Sequence, residues 1–404
     1  MANTVPSRII AYGNTSDSMM DLILQHAEYL AHKFIIVDGH IDLPWRLSLL
    51  NFRPEGEFLN LPIQSKEGDF DYVRAKKGGL SAAFMAIYIP ASFQSDLKSA
   101  KAEADSLIAM IQSIIAAHPD KFAAGFSPEI IEDNFSKGLI SLPMGLENGA
   151  PIASLDDVDY FYEQGIRYVT LTHGKDNHIC DSSYDSMRTW NGLSPFGKQV
   201  IEKMNDSGMI IDVSHISDAA YEHVMELSRV PVLATHSSCR AFTPGWERNM
   251  SDEMIKLLGK KNGVIQINFG SDFLDANIAK SRAQRKKELQ RRLDAAEADK
   301  ENETAKSITS QFKRKYPDLY ADVKMVADHF DHVRKLVGID HLGIGSDYDG
   351  LGDSLPEGLK DVSTYPNLIA ELLSRGYSDD DIEKICYKNV WRVWNDVNAY
   401  AMKS

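Results

Sequence analysis

Eight short apolar runs, most of them rich in strand-forming residues, recur along the chain. They are FIIVDGHI (34–41), LSAAFMAIYI (80–89), LISLPMGLE (139–147), IRYVTLTH (166–173), MIIDVSH (209–215), PVLATH (231–236), GVIQINF (263–269) and HLGIGSD (341–347). Segments of helical character fall between most of them. One is SPFGKQVIEKMNDSG, which places Ser194 as N-cap, Pro195 as first helical residue and Gly208 as the stop. Strand and helix alternating in this way predict an α/β fold, a (β/α)8 TIM-like barrel. The competing doubly wound sheet lacks a GxGxxG after its first strand.

A buried strand should avoid ionisable groups, yet the first run carries Asp38 and His40, with Asp42 just beyond. The anomaly repeats. His40 with Asp42, Glu147, His173, His215, His236 and Asp347 all stand at or just past the C-terminal ends of six different runs. Barrel enzymes build their active sites on that edge. Residues two apart in a strand face the same way, so His40 and Asp42 project together and can share a cation. Singly, each group has a bland explanation: a polar strand end, a turn carboxylate in GLENG, a satisfied core histidine. Jointly, imidazole and carboxylate are the ligand chemistry of zinc and its relatives. His40, Asp42, His215 and His236 suffice for a two-metal site if Glu147 bridges, and paired metals activate water at neutral pH and polarise a carbonyl. That is hydrolase chemistry.

Composition narrows the partners. Of the 404 residues, 43% are hydrophobic and 25% charged, the profile of a soluble globular chain. The formal net charge of -14 opposes unaided binding to nucleic acid or an anionic membrane. Cys180, Cys239 and Cys386 are too few and too scattered for a disulfide framework or a cysteine zinc site. DLILQHAEYLAHKF reads as an amphipathic helix rather than a signal peptide, and no apolar run is long enough to span a bilayer. The expectation is a cytoplasmic protein, although an exported chain with its signal removed gives the same pattern. No repeat or linker is visible, so residues 1–404 are expected to form one hydrolase barrel domain with a charged helical excursion at about 271–320. In that excursion Glu288, Asp294, Glu297 and Glu301 interleave with the Arg/Lys run, which predicts a solvated helix face and no nucleic-acid site.

VDGHIDLPW, GLENG, VTLTH followed by GLSPFGKQVI, IDVSHIS, THSS, Arg248-Asn249, and GIGSDYDG followed by EGLKDVSTYPNLIAELL together resemble the membrane dipeptidase (renal dipeptidase) family, peptidase family M19. The resemblance runs from about residue 34 to 398, apart from the excursion. It implies a barrel of the metal-dependent amidohydrolase type, a homodimer, two zinc ions and a dipeptide substrate. It further implies that His40 and Asp42 hold one zinc, His215 and His236 the other, and that Glu147 bridges. His173 matches the histidine that supports the oxyanion, Arg248 the arginine that takes the substrate's terminal carboxylate, and Asp347 the residue that handles the proton and the substrate amine.

The chain departs from the mammalian pattern in three places. One extra residue separates His236 from Arg248, so Arg248 is preferred to Arg240 for its following Asn249. Gly270 follows INF where those members place a tyrosine near the substrate, and the chain ends in AYAMKS without the hydrophobic tail of a lipid anchor. His178 and Cys180 are expected to shape the loop after the fourth strand, Asp349 and Gly350 to form a barrel-loop turn, and Cys239 to be no catalytic thiol. A related amidohydrolase acting on N-acyl amino acids, lactams or lactones is the alternative enzyme. Relatives of that kind often bridge their metals with a carbamylated lysine on the fourth strand, where this chain carries His173. A catalytically silent metal-binding protein would have lost a ligand or Asp347, and all are present.

Overall fold

The computed structural model describes residues 15–53, 55–296 and 303–403. Eight parallel strands close into a ring: β1 (Ile36–Ile41), β2 (Leu80–Tyr88), β3 (Met144–Glu147), β4 (Ile166–Thr170), β5 (Ile210–Asp212), β6 (Leu233–Ser237), β7 (Val264–Ile267) and β8 (Leu342–Ile344). Each pairs with its neighbours in chain order, and β1 pairs with both β2 and β8, which shuts the barrel. All eight expected strands are therefore present. One is interrupted: the run 139–147 divides into Ile140–Ser141 and Met144–Glu147. Pro143 between them has no N–H to give the ladder, although its carbonyl still accepts from Met85 N at 2.8 Å. Ile140–Ser141 also pairs with Phe122–Ala123, a two-residue strand that the apolar runs did not mark.

Capping chemistry sets the helices between the strands. In Pro195–Ser207 the Ser194 hydroxyl accepts from Gly197 N at 2.8 Å, and Gly208 ends the helix with φ +74°. The N-terminal amphipathic pattern is the helix Thr15–Lys33, which packs on Tyr365–Ser374. No helix among the described residues is long and apolar enough to cross a membrane. All three cysteines are buried and free.

Two features of the core position the site. Val37, Phe84, Tyr168, Ile210, Leu233 and Val264, from six strands, form an apolar cluster with Trp394 of the helix Asn389–Ala401. Tyr168 packs within it, tilted 41° to the Phe84 ring at 5.2 Å, while its hydroxyl reaches the polar layer above. Gly145 on β3 makes room for that ring, because a Cβ there would stand 2.0 Å from Tyr168. The second feature is the excursion after β7, built from the helices Ser271–Leu274, Ala276–Ala295 and Glu303–Lys315. Only the far part of its basic run is a solvated face: Arg291 and Arg292 both donate to Glu288, and Gln290 to Asp294, whereas Arg282 and Arg285 turn inward onto Asp272 and Asp318. Glu297 and Glu301 lie outside the described residues.

Candidate active site

Six strands deliver one polar layer at the C-terminal mouth of the barrel. Glu147, the last residue of β3, is its centre, and its two oxygens are shared out. Oε2 lies 3.4 Å from His40 Nε2, whereas Oε1 lies 3.2 Å from His215 Nε2, 3.4 Å from His236 Nε2 and 3.7 Å from His173 Nε2. Asp42 Oδ2 stands 3.5 Å from His40 Nε2. Donor atoms fall into three overlapping triplets, each within 4.8 Å: His40, Glu147 and His236; Glu147, His173 and His215; His40, Asp42 and Asp347.

These contacts are not a satisfied hydrogen-bond network. His40 Nε2 is buried without a hydrogen-bond partner, and the Nε2 atoms of His215 and His236 face each other at 2.8 Å. The far nitrogens explain the orientation: His40 Nδ1 is 2.9 Å from the Tyr168 hydroxyl, and His236 Nδ1 is 2.8 Å from Thr235 Oγ1. Anchoring one ring nitrogen so that the other aims inward is how proteins present imidazole to a metal. Orphaned buried nitrogens beside carboxylates form a donor set that suits divalent cations.

Charge agrees with this geometry at His215, His236 and His173, whereas at His40 burial works downward but Tyr168, Glu147 and Asp42 hold the imidazole well above its ordinary pKa. Burial pushes the His215 and His236 imidazoles well below their ordinary pKa, helped by the Arg248 guanidinium, so both are neutral and free to act as ligands. Burial also lowers His173, against the pull of Glu147. For Glu147 burial works upward, but His40 and His173 together with hydrogen bonds from His215 and His236 hold it well below the usual carboxylate range. Asp347 moves the other way: burial and the Asp42 and Glu147 charges push it well up, despite His40 and a 2.8 Å hydrogen bond from Asn268 Nδ2. Two carboxylates in one pocket are thus driven to opposite protonation preferences.

Above the layer opens a cleft of about 440 Å³, lined by Asp42, Glu147, His173, His215 and Asp347 together with Trp45, Tyr88, Tyr184, Asp272, Phe273 and Arg282. A larger groove of about 960 Å³ runs along the helix Thr15–Lys33 but is lined by none of these residues. Convergent chemistry, rather than size, marks the smaller one.

Residues 24–404 match the model of the membrane dipeptidase family, peptidase family M19. The chain belongs to that family. It is 31% identical over 385 residues to Dipeptidase 3 of Mus musculus, an alignment covering 94% of this chain and 68% of that one. With Dipeptidase tcpJ of Claviceps purpurea it shares 29% identity over 409 residues, covering 99% and 85%. The crystal structure of the probable dipeptidase PvdM from Pseudomonas aeruginosa matches with a TM-score of 0.79 at 31% identity, over 94% of this chain and 100% of that one. By family and by fold, this is a metal-dependent dipeptidase.

Within the dipeptidase, His40, Asp42, Glu147, His173, His215, His236 and Asp347 come together at this mouth. Arg248 lies 2% exposed below the cleft, with Nη2 3.3 Å from His215 Nε2 and 2.7 Å from the His236 carbonyl, and Nη1 donating to Ser237 Oγ. Arg240 is turned away and held bidentate by Asp218 at 2.7 and 2.6 Å. His178 is bonded to the Ile152 carbonyl, and neither it nor Cys180 lines the cleft. Behind Gly270, Phe273 fills the wall, its ring 5.1 Å from the Arg248 guanidinium.

Tyr168, Thr235, Asn268 and Tyr184 were missed. For Tyr168 a signal existed: a tyrosine inside a strand opposite a glycine needs a buried partner for its hydroxyl. Changing Tyr168 to Phe removes the anchor of His40 while keeping the ring. Metal affinity, read by competition with a chromogenic chelator, should fall about 10- to 100-fold, whereas an unchanged affinity would show that packing alone orients His40.

Proposed function

We propose that this chain hydrolyses free dipeptides using two zinc ions, one held by His40 and Asp42, the other by His215 and His236, with Glu147 between them. The observation that carries the reading is the division of the Glu147 carboxylate, one oxygen toward His40 and the other toward His215 and His236. Bound there, such a pair supplies Lewis-acid polarisation of the peptide carbonyl and lowers the pKa of water. The reading takes the whole chain as one hydrolase domain with the excursion inserted after β7. A homodimer belongs to it through the family resemblance, a cytoplasmic setting through the pattern of the sequence, and acceptance of a D-residue at the C-terminal side as an extension of the same activity.

The chain's own residues supply the rest. Arg248 holds the substrate's terminal carboxylate, for which a buried planar guanidinium is the suited partner. His173, kept neutral, donates its Nε2–H to the oxygen of the tetrahedral adduct. Asp347 takes the proton of the attacking water and returns it to the nitrogen of the breaking C–N bond, releasing two amino acids. Asn268 fixes Asp347 through Oδ2, which leaves Oδ1 for the proton. Gly350 keeps that space open, since a Cβ there would stand 2.2 Å from Asp42 Oδ2 and 2.5 Å from Asp347 Oδ1.

Elemental analysis of zinc-replete protein should give two ions per chain, and Glu147→Gln should lower occupancy of both sites and stop turnover. One ion per active wild-type chain would remove the two-metal reading.

Asn at position 347 keeps the shape of Asp and cannot take up a proton. Asp347→Asn is expected to retain metal and to lose about 10² to 10⁴ in kcat, the usual worth of positioned acid–base catalysis. A variant with full kcat would assign the proton transfer to another group.

Recognition of the carboxylate separates a dipeptidase from a general amidohydrolase. A charge-assisted hydrogen bond contributes about 1.5 to 3 kcal/mol, so at about 1.4 kcal/mol per tenfold dipeptide amides, and Arg248→Ala acting on free dipeptides, should lose on the order of 10- to 10³-fold in kcat/KM. Amides cleaved as fast as free dipeptides would favour the N-acyl amino acid or lactam reading.

A further inference from the structure

The wall of the cleft formed after β7 is a single ion pair with a second cavity behind it. Asp272 Oδ1 and Arg282 Nε lie 2.9 Å apart, Asp272 on the short helix Ser271–Leu274 and Arg282 on the excursion helix Ala276–Ala295. Both side chains line the active-site cleft, and both also line an adjoining cleft of about 460 Å³. The second cleft is basic: Arg282, Arg285, Lys286 and Lys313 line it against two carboxylates, Asp272 and Asp318. That surplus stands out in a chain of net charge -14.

Arg282 is held in place by Nη1 donating to the Leu319 carbonyl and Nη2 to the Asp353 carbonyl. Arg285 pairs with Asp318 at 2.9 Å and Lys313 with Asp353 at 3.6 Å. Lys286, exposed and acting on Asp272 only through its field, has no ion-pair partner among the described residues. Asp272, Asp318 and Asp353 thus answer Arg282, Arg285 and Lys313, which leaves Lys286 as the cation of this cleft without an ion-pair partner among the described residues.

Geometry says which part of a substrate meets this wall. In an extended dipeptide the two side chains point to opposite sides. The lining includes an aromatic pair, Trp45 and Tyr88 edge to face at 5.1 Å, and a charged pair, Asp272 and Arg282. Phe273, next to Asp272, covers the Arg248 guanidinium, so the charged wall stands beside the end of the substrate whose carboxylate Arg248 holds.

We propose that the Asp272–Arg282 pair and the basic cleft behind it form a side-chain subsite that selects an anionic residue at the C-terminal position of the dipeptide. The inference rests on the dipeptidase reading and deepens it: the excursion is a specificity element of the barrel, and Lys286 and Arg282 are its cationic determinants.

The test compares Ala-Glu with Ala-Gln, which differ in charge and hardly in shape, on the metal-loaded full-length enzyme. A pairing that is partly open to solvent contributes modestly, so the kcat/KM ratio of Ala-Glu to Ala-Gln should be roughly 3 to 10 at low salt and shrink as ionic strength rises. Lys286→Glu should bring the ratio to one or below, and Asp272→Asn, which removes the opposing charge, should raise it. A wild-type ratio at or below one, or a ratio that neither substitution moves, overturns the subsite while leaving the dipeptidase standing. Cleavage of neither dipeptide, with N-acyl amino acids cleaved instead, overturns the dipeptidase reading and this inference together.

Discussion

One buried carboxylate organises the mouth of this barrel. Glu147 is surrounded by four imidazole nitrogens at 3.2 to 3.7 Å, in a layer that also holds Asp42 and Asp347 and excludes most solvent. Bringing that many uncompensated polar groups out of water is costly unless each is bonded or a cation neutralises them. The protein has met only half of that requirement with its own atoms. The outward nitrogens of His40 and His236 are bonded to Tyr168 and Thr235, while inward His40 Nε2 is left without a partner and His236 Nε2 meets only another imidazole nitrogen and the shared Glu147 carboxylate. The site is therefore a ligand cage whose electrostatic cost is offset by metal, which makes metal affinity and local stability one linked quantity.

Holding the cage requires backbone that the sequence would not choose freely. Asn148, His215, Asp347 and Asp349 all have left-handed φ, between +63° and +82°, at the ends of β3, β5 and β8. Each such residue costs on the order of 1–3 kcal/mol and persists only where its surroundings over-determine it. They do so here. Asp38, fully buried, accepts from His40 N at 3.0 Å, from Ser346 N at 3.0 Å and from the Tyr365 hydroxyl at 2.6 Å, tying β1 and the loop after β8 to one helix. Asp212 does the same between strands, accepting from Thr170, Ser214 N and Thr235. Asp69 and Asp349 each accept the other's backbone N–H. A second tier of buried acids, none of them facing the cleft, fixes the strained turns that carry His215 and Asp347.

This division explains what could be read from sequence. The barrel was legible because a parallel sheet covered on both faces writes its strands as continuous apolar runs. The metal-facing residues were legible because an ionisable group at the end of such a run violates the pattern. Asp38 and Asp212 break the same rule, but their work is done on backbone N–H groups distant in sequence, and no spacing announces that. Phe122–Ala123 was invisible for a plainer reason, being too short to have a period. Tyr184 sits on a loop and Asp272 on a four-residue helix, both placed by tertiary contacts, so neither side chain's approach to the cleft has a local signature.

The same logic separates chemistry from selectivity in this fold. Residues proposed to act on the peptide bond come from strand ends, where closure of the barrel fixes their spacing and leaves little freedom to vary. Residues of the proposed side-chain subsite come from the excursion after β7, which packs Leu274 and Ile278 into the core and holds Arg282 through Asp272 and the Leu319 and Asp353 carbonyls. An insertion of that kind can change sign or length with small effect on the ring beneath it. Here that excursion sets Arg282 on the cleft wall and Lys286 in the cleft behind it, so the proposed selectivity and the proposed chemistry rest on different parts of the chain.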